Sequence, residues 1–134
     1  MKEEQLTTEQ RTRDQLSFAC AALGKAILNS EPYQNFIKAR DNFRVSDDAK
    51  KASMEYNTVL RDYQMKANYG GLTPDDEVKI DEARKKAMEN KVLNDFYSSQ
   101  EKLISFYQEL NSYLSEKLKF NFASLAKPES SCCG

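Results

Sequence analysis

Between residues 93 and 114 the chain places Leu93, Phe96, Gln100, Leu103, Tyr107, Leu110 and Leu114 at alternating gaps of three and four. That spacing stacks side chains on one face of an α-helix and forms a heptad seam. Val92, Ile104 and Phe106 widen the seam, and a wide apolar stripe on a long helix packs against more than one neighbour. Earlier stretches repeat the period less strongly. Leu16, Ala19, Cys20, Leu23 and Ile27 share one face of a helix that can start at Thr7 or Thr8, leaving residues 1–6 frayed. Cys20 sits on that stripe and reads as a small buried hydrophobe. Tyr33, Phe36, Ile37, Arg40 and Phe43 form a second stripe. A third runs through Ala49, Ala52, Tyr56, Val59, Tyr63 and Ala67, and a weaker one through Ile80, Ala83 and Ala87. Tyr33-x-x-Phe36-x-x-Ala39 and Leu93-x-x-Phe96-x-x-Ser99 form a faint repeat, as two helical stretches facing similar neighbours would.

The interruptions carry as much information as the stripes. Asn29-Ser30-Glu31-Pro32 ends one helix and starts another, with Ser30 as a cap and Pro32 in the first turn. Ser46-Asp47-Asp48 and Asn90 are further breaks. Gly70-Gly71 is the only Gly-Gly in the chain and can end a helix in left-handed backbone. Thr73-Pro74-Asp75-Asp76 then restarts one, with a capping residue, a proline in the first turn and carboxylates at the positive end of the dipole. The pattern predicts an all-α, elongated helical hairpin or bundle of about four to five helices, folded back at Gly70-Gly71. The seam of the last helix is expected to lie against the stripe ending at Tyr63 and Ala67. Residues 1–124 read as a single helical domain and 125–134 as a flexible, cysteine-containing tail.

Composition narrows the functional classes. The 134 residues carry 20 basic and 21 acidic side chains, a net charge of −1 that lacks the basic excess of nucleic-acid binders. The densest basic run, Arg84-Lys85-Lys86, falls near the end of a helix that begins with Asp75, Asp76 and Glu77, where it complements the dipole. The apolar stretch Phe18–Leu28 is interrupted by Gly24 and Lys25 and is too short to span a bilayer. Met1-Lys2-Glu3-Glu4 does not resemble a signal peptide, so a cytoplasmic protein is expected. There is no histidine, which removes Ser-His-Asp and Cys-His catalysis, and there is no glycine-rich phosphate loop. The chain therefore reads as a non-enzyme with no cofactor. Cys132 and Cys133 are the one place for reactive chemistry. Two such tails in a dimer could supply four thiolates to an iron–sulfur cluster or metal, although adjacent side chains diverge.

The long last helix leaves apolar positions off its main seam, and large exposed apolar patches mark interaction sites. A homodimer about a two-fold axis is the simplest way to cover them. Its interface is expected on parts of helices 49–68 and 91–118, through Tyr56, Val59, Tyr63, Val92, Ile104, Phe106 and Tyr113. The same surface could be exchanged for a homologous or other protein partner.

Residues 16–118 resemble the YlbF/YmcA family of small helical bacterial regulators. The resemblance is carried by Leu23-Gly24-Lys25-Ala26-Ile27, by Ser30-Glu31-Pro32-Tyr33-x-x-Phe36-x-x-Ala39, by the Gly71-Leu72-Thr73-Pro74 turn, and by the long helix from Val92. It implies an all-helical, commonly dimeric protein that acts inside a complex in competence, sporulation and biofilm control, linked to RNA processing and to iron–sulfur clusters. The C-terminal cysteines resemble the cysteine-rich end of some members but stand on a shorter tail. The family offers no catalytic residues to carry over.

Overall fold

The computed structural model describes residues 2–126 of the chain. They form six helices and, among the described residues, no strand: α1 (Lys2–Leu28), α2 (Glu31–Val45), α3 (Asp47–Tyr69), α4 (Pro74–Glu89), α5 (Lys91–Leu118) and α6 (Phe122–Ala126). The all-α hairpin is thus the observed architecture. Two element boundaries differ from the sequence expectation. Helix α1 begins at Lys2 rather than Thr7, since nothing between them is a glycine or proline that would stop it. The five-residue α6 lies where the apolar period fades, and it is held by side-chain caps rather than by a stripe.

The reversal is built from one left-handed residue. Gly70 takes φ 74° as the C-cap of α3, and the Gly71 N–H donates to the Lys66 carbonyl at 2.9 Å. Gly71 itself does not take positive φ. Thr73 then caps α4 in a reciprocal box. Its hydroxyl accepts from the Asp76 N–H at 3.4 Å, and Asp76 Oδ2 accepts from the Thr73 N–H at 3.0 Å.

The two arms of the hairpin are each broken once, by the same device. At Ser46 the backbone N–H reaches back to the Phe43 carbonyl, and the side-chain oxygen accepts from the Ala49 N–H at 3.2 Å. At Asn90 the N–H reaches back to the Ala87 carbonyl, and Oδ1 accepts from the Leu93 N–H at 3.0 Å. Residues flanking the two breaks meet in space. Ala49, Ala87 and Leu93 form the central buried cluster, with Phe43, Ala52, Tyr56, Met88, Val92 and Tyr97 packed around it. Two small residues at the centre let the backbones approach, and Leu93, fully buried, fills the remaining space.

The matched breaks divide the hairpin into two levels. Below them α3 runs beside α4, and above them α2 runs beside α5. The seam of α5 therefore lies mainly on α2, not along the stripe ending at Tyr63 and Ala67, which faces α4. The cause is the position of Asn90: α4 has already used the length of α3 before α5 begins. Phe36 and Phe43 stack on Phe96, with ring centroids 5.9 and 4.8 Å apart. Ala39 and Ser99 are both buried where α2 and α5 cross, and the Ser99 hydroxyl is satisfied by the Phe96 carbonyl at 2.9 Å. The faint repeat in the sequence is thus a pair of segments that face each other.

Helix α1 stands apart from this body. Among the described residues it packs against α2 alone, at their junction. There Ser30 occupies the N-cap position of α2, but its hydroxyl donates back to the Ile27 carbonyl at 2.6 Å instead of capping α2.

Candidate interaction surface

The residues expected to form an interface fall into two groups. Tyr56, Val59 and Tyr63 are half-buried on the face of α3 that meets α4. Val59 and Tyr63 line a shallow hollow with Lys66, Asp76 and Lys79. Tyr56 faces Arg84, and its phenol raises the guanidinium pKa above its ordinary value. Val92 packs on the central core. These four side chains are engaged within the chain. Ile104, Phe106 and Tyr113 lie instead along α5 from its midpoint onward. Ile104 and Tyr113 are exposed, Phe106 is half-buried with its ring against Tyr107 at 5.9 Å, and the Lys117 ammonium sits 5.4 Å above the Tyr113 ring. The structure does not bring the two groups into one patch.

Two of the three residues of the basic run of α4 face partners within the hairpin. Lys86 pairs with Glu55 of α3 at 3.2 Å, and Arg84 meets Tyr56 as described above. The most constrained charge is Asp76. It is nearly buried, accepts from Lys66 Nζ at 2.6 Å, and accepts from the Thr73 hydroxyl at 2.8 Å and the Thr73 N–H at 3.0 Å. Lys66 first, and then Thr73, hold its pKa down at about 2. This arrangement ties the end of α3 to the start of α4, and every acceptor oxygen of Asp76 is used. It is a structural lock on the turn rather than an acid–base centre.

Apolar side chains are exposed where periodicity alone predicted burial. Cys20 is exposed, which corrects its reading as a core residue, and its stripe neighbours Leu16 and Leu23 are 61% and 36% exposed. The stripe is real as a pattern, but among the described residues α1 finds no helix to lie on along that face. The second half of α5 is only partly covered. Tyr107 and Leu118 are exposed, Leu110 and Leu114 are half-buried, and α6 covers only one side. That side is pinned by Ser115 Oγ and Asn111 Oδ1, which accept from the N–H groups of Phe122 and Ala123. Exposure of a helix with no neighbour depends on which other helices reach it, and a single stripe does not encode that. Cys132 and Cys133, the expected metal or cluster ligands, lie outside the described residues, as does most of the expected 125–134 tail.

No helix among the described residues is long and apolar enough to cross a membrane. No curated protein and no solved structure matches the chain. The family model described as control of competence regulator ComK, YlbF/YmcA, matches residues 19–119, from within the apolar stripe of α1 to the C-cap of α5. The matched span includes both matched breaks, the Gly70 reversal and the exposed outer half of α5, and on this evidence the chain belongs to the YlbF/YmcA family.

Proposed function

We propose that the protein is a non-enzymatic, cytoplasmic subunit of a bacterial regulatory complex in the competence-control class, with a homodimer as its unit and homologous or other proteins as further partners. The observation that carries this reading is the combination of family membership with two apolar helix surfaces that the chain leaves uncovered. Large exposed apolar surface on a soluble helical body is the usual mark of a protein that works by being bound. Competence, sporulation and biofilm formation, with RNA processing behind them, are the processes in which such a subunit would act.

The test is genetic and biochemical together. Cells of the source organism lacking the chain should change in competence, sporulation or biofilm formation, and tagged protein should be recovered from them with a partner in stoichiometric amount. A chain recovered alone, whose loss leaves all three traits unchanged, would contradict the proposal. Protein purified without oxygen should be colourless and free of iron. Brown, iron-containing protein that bleaches in a Cys132→Ser, Cys133→Ser variant would instead assign the redox role to the C-terminal cysteines.

A further inference from the structure

Helix α5 ends on a turn that the chain also uses at the end of α3, with a different residue at its centre. In α3 the left-handed residue is Gly70, and the Gly71 N–H reaches back to the Lys66 carbonyl. In α5 the left-handed residue is Lys119, at φ 60°, and the Phe120 N–H reaches back to the Ser115 carbonyl at 3.2 Å. Among the described residues Lys119 is the only one other than glycine with positive φ. A side chain there carries strain that glycine avoids. Nothing in the sequence forces the helix to stop, since no glycine or proline stands between Lys91 and Ala126. The segment beyond the turn, α6, buries no residue, and its Phe122 and Leu125 are exposed. The hydrogen bonds that hold it back on α5 come from two polar side chains. Asn111 Oδ1 accepts from the Ala123 N–H at 3.1 Å, and Ser115 Oγ accepts from the Phe122 N–H at 3.0 Å.

We infer that the α5–α6 corner is a two-state element: α6 is a strap that lies back on α5 in one state and, in the other, continues α5 as a straight helix through Ala126. The backbone bonds balance between the two. The N–H groups of Phe120, Phe122, Ala123 and Ser124 now use Ser115, Asn111 and Asn121, and in a straight helix each finds the carbonyl four residues back. Straightening relieves the left-handed lysine and gives up two side-chain caps, effects of comparable size and opposite sign. The few apolar residues fit both states. Leu114, Leu118, Phe122 and Leu125 follow gaps of four, four and three, so a straight helix carries them on one face. A packed core would resist such a change, but none of α6 is buried. Two arrangements of one segment, close in free energy, are what conformational switches use. Opening bares Asn111 and Ser115, lengthens α5 by about 12 Å, and brings Phe122 and Leu125 into line with Leu118. The strap is a property of one chain, independent of dimerisation and of the regulatory reading above.

Spin labels at the exposed positions Ser105 and Ser124 test this. They are attached through Ser105→Cys and Ser124→Cys in a Cys20→Ser, Cys132→Ser, Cys133→Ser background. Dilution with unlabelled protein restricts the signal to distances within one chain. Folded back, α6 lies beside Asn111, so the two positions differ by six residues of rise and one helix diameter, about 14 Å. In a straight helix the same positions are about 28 Å apart. Dipolar line broadening reads the short distance and pulsed dipolar spectroscopy the long one. The expected result is a majority at the short distance with a resolved minority at the long one. Lys119→Gly should cut the long population at least threefold, because it removes the strain. Asn111→Ala combined with Ser115→Ala should raise it at least threefold, because it removes the caps. These positions lie outside the central buried cluster, so each variant keeps the body folded. A single short distance in the Asn111→Ala, Ser115→Ala variant overturns the switch, as does a long population that Lys119→Gly leaves unchanged. A broad spread in place of the long distance overturns it as well, because the strap then frays rather than straightens.

Discussion

At the scale of single residues, the fold depends on a few positions whose neighbours leave no room for change. Leu93 is fully buried between the two breaks, so Leu93→Ala should leave a cavity and cost about 2–5 kcal/mol. Thermal or denaturant unfolding checks this, and a loss below about 1 kcal/mol would show that the joint between the arms collapses around the gap. Asp76 makes a second, pH-dependent contribution. Its pKa is held at about 2 against an ordinary 3.8, so the folded state favours the carboxylate. A depressed pKa contributes stability that is fully present above the unfolded value and is lost as the pH falls through 3.8 toward 2. The stability gap between wild type and Asp76→Asn should therefore be constant near neutral pH and close over that acid window. A gap that persists at the acid end would mean the lock is steric, not ionic. The Thr73 cap could be read from the sequence because its role is local, and Leu93 because it lies on the strongest apolar stripe. The partner of Asp76 could not, since Lys66 comes from the other side of the turn.

At the scale of elements, helix boundaries were legible and helix neighbours were not. Ser46, Asn90, Gly70 and Thr73 mark breaks through their own backbone chemistry, so the sequence announces them wherever the helices later pack. The pairing of α5 with α2 depends on how far α4 extends before Asn90, which is a property of the whole hairpin. Cys20 shows the same limit: its period was correct and its burial was not, because α1 has no neighbour along that face. Within the reversal the two glycines are unequal. Gly70 takes φ 74°, while Gly71 does not take positive φ and has open space around an added Cβ. Gly70→Ala should cost about 1–2 kcal/mol from left-handed strain, whereas Gly71→Ala should be close to neutral. Equal effects in the two melts would mean that the turn tolerates a second conformation.

At the scale of the molecule, the body from α2 to α5 closes its own core, and exposed apolar side chains remain on α1 and the second half of α5 and also at Val45, Met54, Met65, Tyr69 and Val78. The regulatory reading proposed above rests on such uncovered surface. The seam Leu93–Leu114 was visible in the sequence as a single stripe, but the structure buries Leu93 and Leu103 and leaves Tyr107, Leu110 and Leu114 only partly covered. Association driven by apolar surface should resist salt, because screening acts on charges and not on burial. The most direct measurement is sedimentation equilibrium at micromolar concentration, in low and in high salt. The account predicts a species of twice the 15.4 kDa chain mass under both conditions. A species of 15.4 kDa at micromolar concentration would contradict it.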